Sequence, residues 1–89
     1  MPNDKDSLLT FPCEFAIKVF GVASDEFETE VLSIIHKHIP NLSENAIRTR
    51  PSKDKKYLAL TVTVFVESQL QLDDIYRELT SNPLVLMAL

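Results

Sequence analysis

The chain has 89 residues, a net charge of −4 at neutral pH and one cysteine. This length favours one domain with one modest core, and the acidic balance argues against nucleic acid as a partner because neutralising phosphates needs an excess of Lys and Arg. No apolar run approaches the roughly 20 residues of a membrane span, and one cysteine cannot form an internal disulfide. We therefore expect a cytoplasmic protein that does not enter a membrane.

The first part of the chain predicts a tail and then a strand. Residues 1–10 are mostly polar and predict a flexible N-terminal tail, so the domain is expected to span residues 11–89. Cys13–Val22 is predicted to be a strand that puts Phe15, Ile17 and Val19 on one face and Glu14, Ala16, Lys18 and Phe20 on the other. Gly21 is the only glycine in the chain, and it indicates either a backbone position with positive φ or room for a close neighbour.

A helix that Ser24 or Asp25 caps is predicted to run to about His38. Acidic residues crowd its first turns and basic residues its last, which is the order that the helix dipole favours. Pro40 ends it, and a loop over residues 41–45 follows. Its core-facing stripe is predicted to consist of Phe27, Val31, Ile34, Ile35 and His38.

The strongest strand signal lies over residues 57–66, which contain no charge, no Gly and no Pro. Strict alternation with β-branched and aromatic residues predicts a central strand. Residues 46–52 predict a shorter strand before it, joined to it as a hairpin. Pro51 places this shorter strand at a sheet edge because proline cannot donate a ladder hydrogen bond.

A second helix and a last strand complete the chain. Ser68 and Gln71 have the spacing of a capping box at the start of the helix, and Asn82-Pro83 ends it. The last strand is predicted over residues 84–89, which are all apolar.

The element order β-α-β-β-α-β predicts an α+β, ferredoxin-like fold with a four-stranded antiparallel sheet and two helices on one face. Right-handed crossovers put the first and third strands in the centre. The residues predicted to be buried are Phe15, Ile17, Val19, Phe27, Val31, Ile34, Leu60, Val62, Val64, Leu72, Ile75 and Leu79.

The uncovered face of the predicted sheet does not have the pattern of an RNA-binding platform. RNA-recognition domains of this topology stack bases on aromatic residues in the middle of the central strands, where this chain offers Ala59, Thr61 and Thr63. Five of the nine basic residues lie between Arg48 and Lys56. They indicate either an anion contact or an edge hairpin that charge protects from pairing, and we favour the second interpretation.

Cys13 and His38 are the one pair that could act as nucleophile and base, because strand and helix run antiparallel and Cys13 shares the core-facing parity. No orienting carboxylate or oxyanion hole is evident from the sequence, so we predict a structural thiol and no catalytic residue. The chain has no Cys-x-x-Cys motif, and no metal or other cofactor is expected.

Several short segments resemble the YbeD-like family of small bacterial proteins. They are Leu8-Leu9-Thr10-Phe11-Pro12, Lys18-Val19-Phe20-Gly21, His38-Ile39-Pro40, Arg50-Pro51-Ser52, Tyr76-x-x-Leu79 and Val85-x-Met87-x-Leu89. The resemblance implies a fold similar to the ACT domain, a regulatory module that binds amino acids or other small ligands. It also implies a ligand loop at Gly21, Val22 and Ala23.

These patterns together predict a non-enzymatic regulatory or protein-interaction module. The alternative is a sensor of a small molecule at the Gly21 loop, and a Cys/His enzyme or an RNA binder is less favoured. The uncharged last strand predicts a docking edge for a protein partner or a second copy. Strand parity puts Leu84, Leu86 and Ala88 of this edge on the uncovered face, together with Phe20 and Phe65, and turns Val85, Met87 and Leu89 toward the helices.

Overall fold

The computed structural model of the protein describes residues 10–89. Its elements are β1 (Cys13–Val22), α1 (Asp25–His38), β2 (Ile47–Pro51), β3 (Tyr57–Val66), α2 (Gln69–Thr80) and β4 (Val85–Ala88), with a 3-10 turn at Glu44–Ala46. The predicted element order is confirmed, and the predicted bounds of β1 and β3 agree with the structure. Residues 1–9 of the predicted tail lie outside the described part of the chain.

The four strands form one antiparallel sheet in the order β2-β3-β1-β4. β1 and β3 pair along their whole length, from Cys13 opposite Val66 to Val22 opposite Tyr57. The two central strands are therefore the two predicted to be central, and β2 and β4 are the edges. The fold class is the predicted ferredoxin-like one.

Both helices cover the face of the sheet that carries the apolar parity of β1 and β3. Fully buried side chains from β1, β3 and both helices form a single core. Of the residues predicted to be buried, Phe15 and Ile34 are only partly buried. The buried hydrophobic side chains are Ile17, Val19, Phe27, Val31, Ile35, Ile39, Leu60, Val62, Val64, Val66, Leu72, Ile75 and Leu79.

Side-chain caps hold the start of each helix. The Ser24 hydroxyl accepts a hydrogen bond from the Phe27 N–H at 3.1 Å, and the Ser68 hydroxyl accepts one from the Gln71 N–H at 3.1 Å. In a capping box the Gln71 side chain would accept a hydrogen bond from the N–H of Ser68. Here the Gln71 side-chain oxygen accepts from the N–H of the preceding residue, Glu67, at 2.7 Å. Each cap satisfies donors that the first helical turn leaves free.

A β-bulge in β4 makes the predicted parity wrong for residues 87–89, while Val85 packs against the core as predicted. Phe20 pairs with Met87, but Gly21 pairs with Val85, so Leu86 is an extra residue between the two pairs. The bulge reverses the parity of the second half of the strand, and Ala88 packs against the core opposite Val19.

Three further predicted positions of the last segment differ from the structure, and Leu86 does not. Leu84, which precedes the bulge, also packs against the core instead of lying on the uncovered face. Met87 and Leu89 were predicted to face the helices, yet they are 50% and 60% exposed. Leu86 is exposed as predicted.

Candidate functional site

The sheet face opposite the helices, called the open face below, is the main surface on which a site could be built. Directly opposed residues in antiparallel strands share one face, so the register defines its members. They are Glu14, Ala16, Lys18, Phe20 and Val22 of β1, Arg48 and Arg50 of β2, Tyr57, Ala59, Thr61, Thr63 and Phe65 of β3, Met87 of β4, and Leu89 after it.

One corner of the open face is apolar and exposed. Phe20 lies beside Met87, and Leu89 exchanges two backbone hydrogen bonds with Lys18, at 3.0 and 2.7 Å. Val22 and Tyr57 form the neighbouring pair, and they are 55% and 48% exposed. The apolar corner, as we call it, comprises Phe20, Val22, Tyr57, Met87 and Leu89.

The structure brings together only some of the residues that the sequence predicted as an interface. Phe20 lies in the apolar corner, and the exposed Leu86 is next to it in β4. Phe65 is exposed too, but it pairs with Glu14 at the far end of the sheet. Since Glu14 and Phe20 are six residues apart on one strand, Phe65 lies about 20 Å from the corner. The role of Phe20, Leu86 and Phe65 as an interface stays a prediction.

Three cations lie across the middle of the open face. Arg48 and Lys18 flank Thr61 on its two sides, and Arg50 lies beside Ala59 in the next row. All three are exposed. Within residues 10–89 the ion pairs are made by other side chains, so these three charges are not neutralised there.

The β2–β3 turn is basic, and its single acid holds its shape. The Asp54 carboxylate accepts hydrogen bonds from the Ser52 hydroxyl at 2.7 Å and the Lys56 N–H at 3.1 Å. These bonds, that of Ser52 first, hold the pKa of the Asp54 carboxyl below its ordinary value. Lys55 has a φ of 62°, which a tight turn requires. Asp54 therefore has a structural role, and the lysines around it remain exposed.

Gly21 is a glycine because of close packing. A Cβ placed on it would lie 2.3 Å from Phe27 Cε1 and 2.6 Å from the Leu84 carbonyl oxygen. The sequence allowed two reasons for this glycine, a positive φ or a close neighbour. Its φ is not positive, so the structure favours the close neighbour. The space beside Gly21 is filled by the Phe27 ring and the Leu84 carbonyl, and the ligand role of Gly21, Val22 and Ala23 stays a prediction.

His38 is tied to the second helix. Its Nε2 lies 2.7 Å from Oε1 of Glu78, and Lys37 pairs with the other oxygen of the same carboxylate. Hydrogen bonds from Lys37 and then His38 hold the pKa of Glu78 below its ordinary value. No hydrogen bond joins His38 to Cys13 in the described chain, and Cys13 packs, partly buried, against the core.

The sequence interpretation missed Glu78 because this residue lies forty positions after His38 on another helix. Only the packing of α2 beside α1 brings the two together. Glu78 supplies the carboxylate that was missing from a Cys/His pair, but within residues 10–89 no hydrogen bond joins Cys13 to His38 or Glu78. The arrangement can hold the two helices together, and it does not form a catalytic relay.

A groove of about 540 Å³ lies at the Phe65 end of the sheet, beneath the loop that follows α1. Arg48, Thr63 and Phe65 of the open face line one side, and His38, Asn41 and Gln71 line the other. No sequence pattern indicated this groove, because its walls come from four separate segments. The lining mixes apolar, basic, acidic and amide groups without a cluster of reactive side chains.

Two further classes of site are absent from the described chain. Residues 10–89 contain no group of three or more His, Cys, Asp or Glu side chains that could hold a metal ion. Neither α1 nor α2 is long and apolar enough to cross a membrane.

Solved structures with this fold define the class of the domain. Protein HP0495 from H. pylori superposes with a TM-score of 0.75 at 16% identity, covering 100% of this chain and 94% of its own. The ACT domain from GTP pyrophosphokinase of Chlorobium tepidum superposes with a TM-score of 0.65 at 17% identity, covering 85% and 84%. The domain thus has an ACT-like fold, and at these identities the likeness shows the fold alone.

The family follows from the sequence itself. Residues 6–89 match the family described as "Protein of unknown function (DUF493)". The UPF0250 protein NMC1112 of Neisseria meningitidis serogroup C is 48% identical over 87 residues, which are 98% of this chain and 96% of that protein. The chain therefore belongs to this bacterial family, and its predicted resemblance to YbeD-like proteins is confirmed.

Proposed function

We propose that the chain is a non-enzymatic regulatory module of the bacterial cytoplasm that acts by binding another protein through its apolar corner. The observation that carries the proposal is the exposure of large apolar side chains next to one another. Val22, Met87 and Leu89 are each at least half exposed beside Phe20 and Tyr57. A contiguous apolar patch on a small domain marks an interaction site more often than isolated apolar residues do.

The shape of β4 favours a contact through the face and disfavours the addition of a strand to its edge. β4 has four residues and contains the bulge. Short edge strands and bulges both discourage pairing with another chain. The partner is therefore expected to pack on the side chains of Phe20, Met87 and Leu89.

The non-enzymatic part of the proposal is supported by the contacts of the two reactive side chains. His38 is engaged by Glu78, and Cys13 packs against the core. Small-molecule sensing at Gly21 is not proposed, because the neighbouring Phe27 ring occupies the space beside this residue.

Quantitative co-purification tests the proposal. The tagged chain is expressed at its native level in the source bacterium, as wild type, as Met87→Lys and as Leu70→Lys. Leu70 is a matched control because it is 67% exposed on the helical layer. A partner that packs on the apolar corner would bury the charge of a lysine placed there, which is costly. We therefore expect Met87→Lys to lower recovery of the partner at least tenfold.

Leu70→Lys is expected to recover the partner as the wild type does. Recovery of every bound protein by Met87→Lys at the wild-type level would contradict the proposal. Sedimentation of the purified wild type separates self-association from binding to a different protein.

A further inference from the structure

The open face contains a row of small side chains along β3 between larger ones on both neighbouring strands, which we call the trough. Its floor is made of three small, half-buried side chains, Ala59, Thr61 and Thr63. Exposed aromatic rings close the two ends, Tyr57 at one and Phe65 at the other. The eight residue steps between these rings span about 27 Å.

The two walls of the trough differ in chemistry. Arg48 and Arg50 of β2 form one wall, and Lys18 and Phe20 of β1 form the other. The strands that carry the walls are two strand spacings apart, about 10 Å. An α-helix with its side chains is about 10–12 Å wide, so one helix fits over β3 with a side against each wall.

The charges on the molecule indicate the sign of the occupant. Acidic side chains begin α1, at Asp25, Glu26 and Glu28, on the layer opposite the trough. Within residues 10–89, Lys18, Arg48 and Arg50 have no ion pair. Two open faces brought together would place cations near cations, which disfavours a second copy in this position.

The trough favours a protein over a nucleic acid. Bases stack on aromatic side chains in the middle of such sheets, but here the middle is Ala59, Thr61 and Thr63, and the rings lie at the ends. The wall beside Phe20 continues into Met87 and Leu89, which offer apolar contacts that a phosphate backbone does not use.

We infer that the trough binds an acidic amphipathic helix of a partner protein. The apolar side of the helix packs toward Phe20 and Met87, and its carboxylates lie against Arg48 and Arg50. Docking of an amphipathic helix into a groove is a common mode of recognition. The inference rests on the proposed function, since it states the chemistry of the protein that the apolar corner contacts.

Binding of a designed peptide tests the inference. The probe is an 18-residue helical peptide with Leu on one face and Glu on the other, about 27 Å long. The control probe has Lys in place of every Glu. Titration of the isotope-labelled full chain, followed by backbone amide NMR, should shift the signals of Lys18, Ala59 and Thr61 with the acidic peptide only.

Reversing the charges of the β2 wall tests the same contact from the side of the protein. The double variant Arg48→Glu/Arg50→Glu is expected to bind the acidic peptide at least tenfold more weakly. Lys53→Glu/Lys56→Glu makes the same change in net charge in the β2–β3 turn, and it should alter the affinity less than twofold. Arg48→Gln/Arg50→Gln controls for a folding defect, because it removes the charges without introducing repulsion. It should lower the affinity for the acidic peptide by an intermediate amount.

Each of the following results would overturn the inference. They are equal binding of the acidic and basic peptides, equal losses in the two Glu double variants, and open-face shifts with a 15-nucleotide single-stranded RNA but not with the acidic peptide. If the acidic peptide fails while recovery of a native partner still depends on Met87, the acidic-helix inference alone is wrong. If recovery does not depend on Met87 but the peptide binds in the trough, the proposed function is wrong in its choice of surface.

Discussion

Gly21 shows how one missing side chain sets the shape of an edge. Its α-carbon lies so close to the Phe27 ring and the Leu84 carbonyl that a methyl group would approach atoms of both within 2.6 Å. Phe27 is fully buried, so the ring has little freedom to move aside. The glycine permits both the packing of α1 on the sheet and the close approach of β4.

Gly21→Ala is expected to destabilise the fold by about 1–3 kcal/mol, the usual range for an overpacked core. Urea unfolding followed by circular dichroism measures the change. Ala16→Ser is the control because Ala16 is exposed on the same strand, and it should change the stability by less than about 0.5 kcal/mol. A Gly21→Ala chain as stable as the wild type would contradict this account of the glycine.

Cys13 is predicted to be structural, since it packs against the core without a hydrogen bond to His38. Cys13→Ala should lower the stability by about 1 kcal/mol and leave partner recovery unchanged. The thiol should react with iodoacetamide more slowly in the folded chain than in urea. Faster alkylation of the folded chain near neutral pH would instead indicate an activated thiolate.

At the level of elements, the C-terminal end of α1 is fastened to α2 by side chains from both. Glu78 accepts hydrogen bonds from Lys37 and His38, and the Gln71 side-chain amide donates to the His38 carbonyl at 3.2 Å. These bonds hold the C-terminal turn of α1 against α2. The loop that follows this turn lines the groove at the Phe65 end of the sheet.

The lowered pKa of Glu78 predicts a pH dependence of this helix pair. A carboxyl whose pKa is lower in the folded state stabilises the fold above its unfolded pKa, and this contribution is lost as the pH falls through the folded value. Wild type should therefore be more stable than Glu78→Gln above about pH 5.3, one unit above the ordinary pKa of Glu. The difference should shrink below about pH 4.3.

Urea unfolding midpoints measured from pH 3 to pH 7 check this prediction. Glu14→Gln is the control because Glu14 is an exposed carboxylate without an ion pair among residues 10–89. Its difference from wild type should vary less with pH. A Glu78→Gln difference that is constant over this range would show that the carboxylate does not stabilise the helix pair.

The elements differ in how far the sequence could predict them. The bounds and faces of β1 and β3 followed from their period of two, and their central positions followed from the handedness of the crossovers. The last six residues are all apolar, and a run without alternation does not reveal a bulge or which side chains face the core. Contacts such as that between His38 and Glu78, and the groove walls, depend on which elements become neighbours.

For the whole molecule, the two layers carry opposite charge although the chain as a whole is acidic. Acidic residues begin α1, while the open face carries Lys18, Arg48 and Arg50 with Glu14 as its acid. The sequence predicted the basic stretch from Arg48 to Lys56, but Lys18 joins it only through the register of β1 and β3. Layers of opposite charge give the surface two potentials of different sign.

Paramagnetic relaxation by charged nitroxides measures these potentials. An anionic nitroxide should relax the amide protons of Lys18 and Thr61 at least twofold more than a cationic one does, and the order should reverse at Glu26. At about 0.1 M ionic strength the Debye length is about 10 Å, so the two layers are sensed separately.

Arg48→Glu/Arg50→Glu should remove the preference at Thr61 and leave the one at Glu26 unchanged. A cationic probe that accumulates equally on both layers would show that the net charge of −4 governs the whole surface. The trough would then have no attraction for an acidic helix.

The β4 bulge also bears on how this fold tolerates changes in length. Leu86 lies between the pairs Gly21–Val85 and Phe20–Met87, so its deletion would let Val85 and Met87 follow each other in register. Met87 would stay on the open face and Ala88 on the core face, whereas removing one residue from β3 would turn every later side chain to the wrong face. Leu86 is thus a position where a relative could lose one residue without rearranging its core or its open face.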